Sequence, residues 1–463
     1  MNVTVIGGSG YVGFITGLGF AELGNRVTCV DIDAAKVNRM AQGESPIYEE
    51  GVDLSGILQR NLEAGRIRFT QDLQVGNQDC EVIFVAVGTP EKKDWSADLS
   101  HVIDVAEELA RHLSGYTVIV LKSTVPVGTA EVFCSVLGRR LARSVDFDLA
   151  ANPEFLREGK GLFDFFNPSR IVVGADSDRA REVLRKLYMP FLSGASSQQS
   201  DASTLGQANE YTPCSRTPLV ETSISSAQMI KYASNAFLAT RVSFINEIAA
   251  ICERVGADVK EVARGMGYDP RIGPDYLEAG IGFGGPCLEK DLKALVAVST
   301  DHGYRPNFFQ AVLSRNEEQV EVILAKVKEL IGGLLYRRTV AVYGLAFKAG
   351  TNDVRSSVAM RIVEQLLNAG VAIRAFDPVA IPEARELLPQ VEYFQDPYEA
   401  AATADGLIVL SEWSGFAELD YGRIREAMAH PKIVDGKNAL HHGELDRLGF
   451  QYRAVGRKSA REL

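Results

Sequence analysis

At 463 residues the chain is too long for one ordinary hydrophobic core, so roughly two to three domains are expected. Its 46% hydrophobic and 24% charged residues exclude a disordered or fibrous protein. A net charge of −11 offers no overall positive field, so neither nucleic acid nor a membrane surface is an expected partner. No run approaches the roughly 20 apolar residues that span a bilayer. The start, MNVTVIGGSG, reads as a strand and not as a signal peptide. Six cysteines are scattered without C-x-x-C pairs or neighbouring histidines, so neither a disulfide framework nor a metal site is indicated. The expectation is a cytoplasmic protein that holds no metal.

Short β-branched runs at 3–6 (VTVI), 26–30 (RVTCV), 82–87 (VIFVAV), 117–121 (TVIVL) and 170–174 (RIVVG) alternate with helical stretches. That alternation specifies a parallel sheet covered on both faces, and it predicts a Rossmann-like domain over 1–194. A stretch rich in Ser, Thr, Gln and Gly then reads as a polar loop or insertion, drawn at 195–222. Near-helical spacing of Met229, Ala233, Ala236, Phe237, Thr240, Phe244, Ile248, Ile251, Cys252 and Val255 predicts a helix from about 225 to 255, roughly 45 Å long. Further helices at about 288–300 and 308–331 complete a helical middle domain, 223–333. The α/β rhythm restarts at 339–343 (TVAVY), 371–376 (VAIRAF), 406–410 (GLIVL) and 432–434 (KIV), a second, smaller Rossmann-like domain over 334–463. The expected fold class is therefore α/β: two doubly wound domains joined by a long central helix and a helical middle domain.

The first strand runs into Gly7-Gly8-Ser9-Gly10-Tyr11-Val12-Gly13, a helix follows, and the next strand ends at Asp31. Glycines at such a turn let backbone approach a pyrophosphate and helix pack on strand, while the helix N-terminus favours negative charge. Either Gly7 or Gly8 can make the first turn. Asp31, at the strand end, is placed to accept hydrogen bonds from ribose hydroxyls and would repel a 2′-phosphate, so NAD is expected over NADP.

Lys231 and Asn235 are i and i+4 on the long helix, and together they can hold one oxygen between an ammonium and an amide. Such a pair suits a developing oxyanion. A solvated helix face is the bland alternative, weakened by apolar flanks. Cys287 follows a glycine-rich loop and a proline and starts a helix, where the dipole and Lys290 favour a thiolate. Asp291, one turn on, is placed to orient water or take a proton.

These segments, with VIGGSGYVG, Thr89-Pro90, STVPVGT, NPEFLREG, KYASNAFLATRVSFINE, DPRIGP, GFGGPCLEKD and GLAFKAGTNDVRSS, resemble the UDP-glucose/GDP-mannose dehydrogenase family over nearly the whole chain. The resemblance implies a four-electron oxidation of a nucleotide sugar's C6 alcohol to a carboxylate, using two NAD in succession. Cys287 would capture the aldehyde as a thiohemiacetal that is oxidised to a thioester and hydrolysed. Lys231 and Asn235 would stabilise the oxyanions; Glu158, Asp291 and Thr124 would handle protons and water, with Glu154 a further acid near the reacting carbon. On the coenzyme side the resemblance adds Lys36, Thr89, Pro90, Thr124, Glu158, Lys290 and Arg355 to Gly8, Gly10, Tyr11, Val12, Gly13 and Asp31.

On the sugar side it implies Glu154, Phe155, Leu156, Arg157, Lys231, Asn235, Tyr276, Phe283, Gly284, Phe347 and Lys348, the last as a phosphate clamp. Arg271 matches an arginine that reaches into a neighbouring subunit, which implies a homodimer or higher homo-oligomer built around the long helix. Lys437 stands where the family commonly has arginine. UDP-glucose is the expected substrate, because the run from Asn235 to Glu247 looks most like the enzymes that use it; GDP-mannose and UDP-N-acetyl sugars are the alternatives. A hydroxyacid dehydrogenase with a Lys-x-x-x-Asn pair would transfer one hydride without a nucleophile. Cys287 and the second α/β domain argue against it, and an intact nucleophile argues against a silent NAD-binding scaffold.

Overall fold

Valine- and isoleucine-rich runs become buried strands where backbone partners flank them on both sides. The computed structural model describes residues 1–76, 79–141, 145–193 and 216–457, and the chain divides into two units, Met1–Ser234 and Asn235–Leu463. In the first unit lie β1 (Asn2–Ile6), β2 (Arg26–Val30), β3 (Ile67–Thr70), β4 (Val82–Val85), β5 (Thr117–Leu121), β6 (Phe147–Ala151), β7 (Ile171–Ala175) and β8 (Leu219–Thr222). They form one sheet in the order β3-β2-β1-β4-β5-β6-β7-β8. Every residue of β4 and β5 is buried, as helices on both faces require.

The expected parallel sheet holds through β6; β7 then pairs antiparallel to β6, and β8 runs parallel to β7. Leu219–Thr222 falls inside the stretch drawn as loop at 195–222 and instead closes this edge of the sheet by pairing with Ile171–Gly174. Its LVET sequence is only partly apolar, so backbone pairing and not side-chain pattern makes it a strand. The rest of that loop, 194–215, lies outside the described residues.

The second unit contains β9 (Thr339–Tyr343), β10 (Ala372–Phe376), β11 (Glu392–Phe394), β12 (Gly406–Val409), β13 (Lys432–Asp435) and β14 (Gln451–Ala454), in the order β11-β10-β9-β12-β13-β14 and all parallel. This repeats the strand order of β1–β6, the doubly wound arrangement expected twice over. The helices Ile224–Val255, Leu288–Asp301 and Asn307–Ile331 lie where their periodicity put them. Ile245, Ala249 and Cys252 of the long helix share one core with Ile323 and Val327, and with Val340, Val342 and Val363 around the second sheet. The helical segment after Ser234 and the last sheet thus bury their apolar faces on each other.

Candidate active site

The coenzyme turn is built by backbone. After β1, Gly7 takes a φ of 83°, and the N–H groups of Gly7 and Gly8 donate to the Val30 carbonyl at 2.9 and 3.1 Å. Gly7 therefore makes the left-handed turn that the sequence left open between two glycines. Gly8 lies against Cys29, where a Cβ would meet that residue's Cβ at 2.5 Å, and a Cβ on Gly13 would run into the Gly7 carbonyl. Gly10 differs: its added Cβ would meet nothing nearer than the Gly7 oxygen at 3.5 Å. The fold does not need glycine there, which leaves the backbone open to the close approach of a ligand.

Gly10 is also the N-cap of the helix Tyr11–Glu22, whose first turn has neither a side-chain cap nor an acid. Its N–H groups suit a pyrophosphate. Asp31 follows β2 directly and accepts from Ser9 N–H at 2.9 Å and Asp33 N–H at 3.1 Å, which holds a half-buried carboxylate beside the turn. Thr89 Oγ1 donates to the Thr124 carbonyl at 2.9 Å, tying together the loops after β4 and β5; Pro90 and Lys36 are exposed. These residues fit NAD. Gly10→Ala is expected to stay within about 1 kcal/mol of wild-type stability while weakening NAD about tenfold or more, whereas Gly13→Ala should melt early. Thermal melts with and without NAD check both, and unimpaired NAD binding by Gly10→Ala would remove the turn from the site.

The loop after β6 carries the acids. Lys231, 5% exposed, donates to Glu154 Oε1 at 2.8 Å, and Leu156 N–H donates to Oε2 at 2.5 Å. Burial by itself would raise the Glu154 pKa; the Lys231 charge and its hydrogen bond, with Lys122 beyond, outweigh that and hold the carboxyl below its ordinary range. The Arg170 guanidinium lies 3.5 Å over the Phe155 ring centroid and the Lys231 ammonium 5.5 Å from it. Arg157 is exposed and grips Asp164 through Nη2 and Nε at 2.6 and 3.0 Å. Glu158 is half-buried near Tyr11, whose phenol is pushed up by burial, by Glu49 and, more weakly, by Glu158.

In the second unit, Cys287 is exposed and is the N-cap of Leu288–Asp301. Asp291 is 1% exposed; its N–H donates to the Cys287 carbonyl at 2.9 Å, and its carboxylate accepts from Asn235 Nδ2 and Lys290 Nζ, both at 2.6 Å. Asn235 is 6% exposed, so neither it nor Lys231 belongs to a solvated helix face. The loop before the thiol is held by amides: Phe283 N–H donates to Asn316 Oδ1 at 2.8 Å, and Gly280 N–H to Asn246 Oδ1 at 2.9 Å. A Cβ on Gly284 would meet the Ser356 carbonyl at 2.8 Å, and one on Gly285 the Phe347 ring at 2.7 Å. This contact brings Phe283, Gly284 and Phe347 together.

Lys348 is half-buried, with Nζ 5.6 Å from the Phe347 ring centroid. Tyr276 is half-buried with a φ of 61°, and Arg355 is exposed and paired with Asp353. Arg271 is exposed, pairs with Asp269, and sits in a loop that Arg241 of the long helix pins by donating to the carbonyls of Ile272 and Gly273 at 2.6 and 2.9 Å. Lys437 pairs with Glu412 at 3.0 Å.

The two sheets share an order but not a nucleotide turn. Asp377, after β10 as Asp31 is after β2, is 1% exposed and accepts from the N–H groups of Leu345, Ala346, Val379 and Ala380. The helix Val358–Asn368 is capped by the Ser357 hydroxyl. There the ribose acceptor and the helix terminus are both used by the chain itself. Sequence reasoning missed Glu49, which is 2% exposed, accepts from the Tyr11 hydroxyl at 2.5 Å and the N–H groups of Gly161 and Leu162, and whose carboxyl burial raises. It also missed Asn246, Asn316 and Lys122. For Lys122 a signal existed, since a lysine directly follows the apolar run 118–121, beside Ser123-Thr124.

Models of one family match most of the chain: its NAD binding domain at residues 1–192, its central domain at 225–318 and its UDP binding domain at 341–442. The chain is 41% identical to the UDP-glucose 6-dehydrogenase TuaD of Bacillus subtilis, covering 98% of this chain and 93% of that protein. It is 42% identical to a UDP-glucose 6-dehydrogenase of Pseudomonas aeruginosa, covering 99% and 98%. Among solved structures, a UDP-glucose dehydrogenase from Pyrobaculum islandicum matches with a TM-score of 0.86 and 34% identity over 98% of each chain. The coenzyme turn in one unit and the thiol–carboxylate helix in the other thus occur in a sequence matched nearly end to end, and the chain belongs to the UDP-glucose/GDP-mannose dehydrogenase family.

Proposed function

We propose that this chain oxidises UDP-glucose to UDP-glucuronate with two NAD and a covalent intermediate on Cys287. The observation that carries the reading is the exposed thiol at a helix N-cap, with the buried Asp291 one turn away held by Asn235 and Lys290. The names of the relatives at about 40% identity support the sugar. NAD, when bound, accepts one hydride in each oxidation. Gly10, Gly13 and Asp31 hold it, with Thr89, Pro90, Lys36 and Arg355 around it.

In this reading the C6 alcohol loses a hydride and a proton to give an aldehyde, and the Cys287 thiolate adds to form a thiohemiacetal. A second hydride leaves to give a thioester, and water cleaves it to the carboxylate and the thiolate. The balance is one sugar, two NAD and one water in; one carboxylate, two NADH and three protons out. Lys231 and Asn235 stabilise the oxyanions. Asp291, Glu154, Glu158 and Thr124 position water and move protons, and Phe155, Leu156, Arg157, Tyr276, Phe283, Gly284, Phe347 and Lys348 hold the nucleotide sugar. A single-hydride dehydrogenase has no use for the thiol.

We also infer a homodimer. On the long helix Phe237, Phe244, Ile251 and Val255 recur on one face and are exposed, a stripe that suits a second copy, and Arg271 is free of burial to reach it. Sedimentation is expected to give at least twice the chain mass of 50.4 kDa; a monomer would overturn this. The scattered cysteines, without paired spacings, suit the cytoplasm. To test the activity, the protein is incubated with NAD and a panel of nucleotide sugars, and NADH is counted per sugar consumed. Two NADH per UDP-glucose is expected, and no NADH with any of the panel would sink the reading.

A further inference from the structure

Lys122 directly follows β5, is 8% exposed, and has no part in the roles assigned above. Its Nζ donates to Asn152 Oδ1 at 2.9 Å. The Asn152 amide donates to the Val172 carbonyl at 2.8 Å, which turns its oxygen toward the lysine, and the Tyr188 hydroxyl donates to the same oxygen at 2.6 Å. A neutral amide is weak compensation for a buried ammonium. The charge that favours it is Glu154, and the charge that opposes it is Lys231.

Glu154 is paired with Lys231, feels the charge of Lys122 as well, and in turn favours the charge of the half-buried Arg170. If stability were the only demand, an apolar side chain of similar volume would serve as well as or better than the lysine. Lys231 and Lys122 are both buried against the single buried carboxylate of Glu154, and a positive excess kept out of water in this way is arranged for negative charge that arrives later. We propose that Lys122 is a positioning residue for the reaction proposed above, a second cation that shares Glu154 and so leaves the Lys231 ammonium able to donate to the oxyanion formed at the sugar carbon. Burial also pushes Lys122 down to about 8, into the working range, where Glu154, Lys231 and Tyr188 are the titratable and charged groups around it. Its charge, and with it the positive excess, is lost as pH rises past that value.

The test is the pH profile of kcat/KM for UDP-glucose with NAD, together with melting curves, for wild type, Lys122→Met and Lys122→Arg. Wild type should show an alkaline fall near pH 8. Lys122→Met should lose ~10-fold in kcat with KM changed less than about twofold, and lack that fall. Lys122→Arg should recover part of the rate and move the fall upward by more than about one unit, because a guanidinium does not titrate there. A merely structural role would lower the whole profile without moving its limb, so Lys122→Met with the wild-type limb in place overturns the proposal. Should that variant not fold, an unmoved limb in Lys122→Arg overturns it equally. Wild type that makes no NADH overturns the underlying function and this role with it, whereas active wild type with an unmoved limb in the variants overturns the role alone.

Discussion

Cys287→Ala is expected to lose carboxylate formation by on the order of 10⁴, as removal of a nucleophile does, with an unchanged melting temperature because the thiol is exposed. Without the sulfur the first oxidation ends at an aldehyde. No thiohemiacetal forms, so the second hydride has no bound donor carbon, and NADH stops at no more than one per sugar. Cys287→Ser keeps an oxygen in place of sulfur; it should slow or stall with the sugar attached, because the serine alkoxide that water must expel from an oxygen ester is a poorer leaving group than the thiolate of a thioester. NADH stoichiometry and the intact mass of the stalled protein measure both. A Cys287→Ala variant that kept full turnover to the carboxylate would disprove covalent catalysis.

Lys231→Met should cost both activity and stability. The ammonium is the charged donor assigned to the oxyanion, so a loss of about 10³ in kcat is expected. It is also the main partner of Glu154, and both side chains are under a tenth exposed. Removing one member of such a pair leaves a buried charge behind and costs about 3–5 kcal/mol, toward the lower end here because Lys122 remains. The double variant Glu154→Gln/Lys231→Met should regain most of that stability and none of the activity.

The sign with pH follows from linkage. Glu154 titrates low in the folded protein, so the pair's contribution is full above the unfolded carboxyl's pKa and is lost as pH falls through the folded value. In Lys231→Met burial raises the carboxyl, which then takes up a proton more readily on acidification. The stability gap between wild type and Lys231→Met should therefore narrow from pH 8 to pH 5 in urea unfolding. A gap that widens, or a double variant as unstable as the single one, would show that the two residues are not an energetic unit.

How far the chain could be read before folding differs from element to element. β2, β5 and β9 match their apolar runs end to end, because a strand buried on both faces needs a continuous run of Val and Ile. β3, β8, β11 and β14 are three or four residues long and mix polar with apolar side chains, so no run announces them. β6, with Asp148 within it, was missed for the same reason, and its antiparallel junction with β7 leaves no mark in composition.

The turn that opens the chain was written into a dozen neighbouring residues: Gly7 to Gly13 and the strands around them can take few other shapes, and Asp31 must then follow at the next strand end. Cys287 at the start of its helix was legible for the same reason, since a cap depends on residues a few positions away. The partners were not legible. Lys231 and Glu154 stand 77 positions apart, Asn235 and Asp291 56, and Tyr11 and Glu49 38. Nothing local distinguishes Glu49 from a solvated charge, and only the apolar run before it marks Lys122, because periodicity records which face of an element is apolar, and not which polar group will be buried. Burial of a charge is tolerated only where a distant partner offsets its lost hydration, and that partner exists only once the strands have assembled.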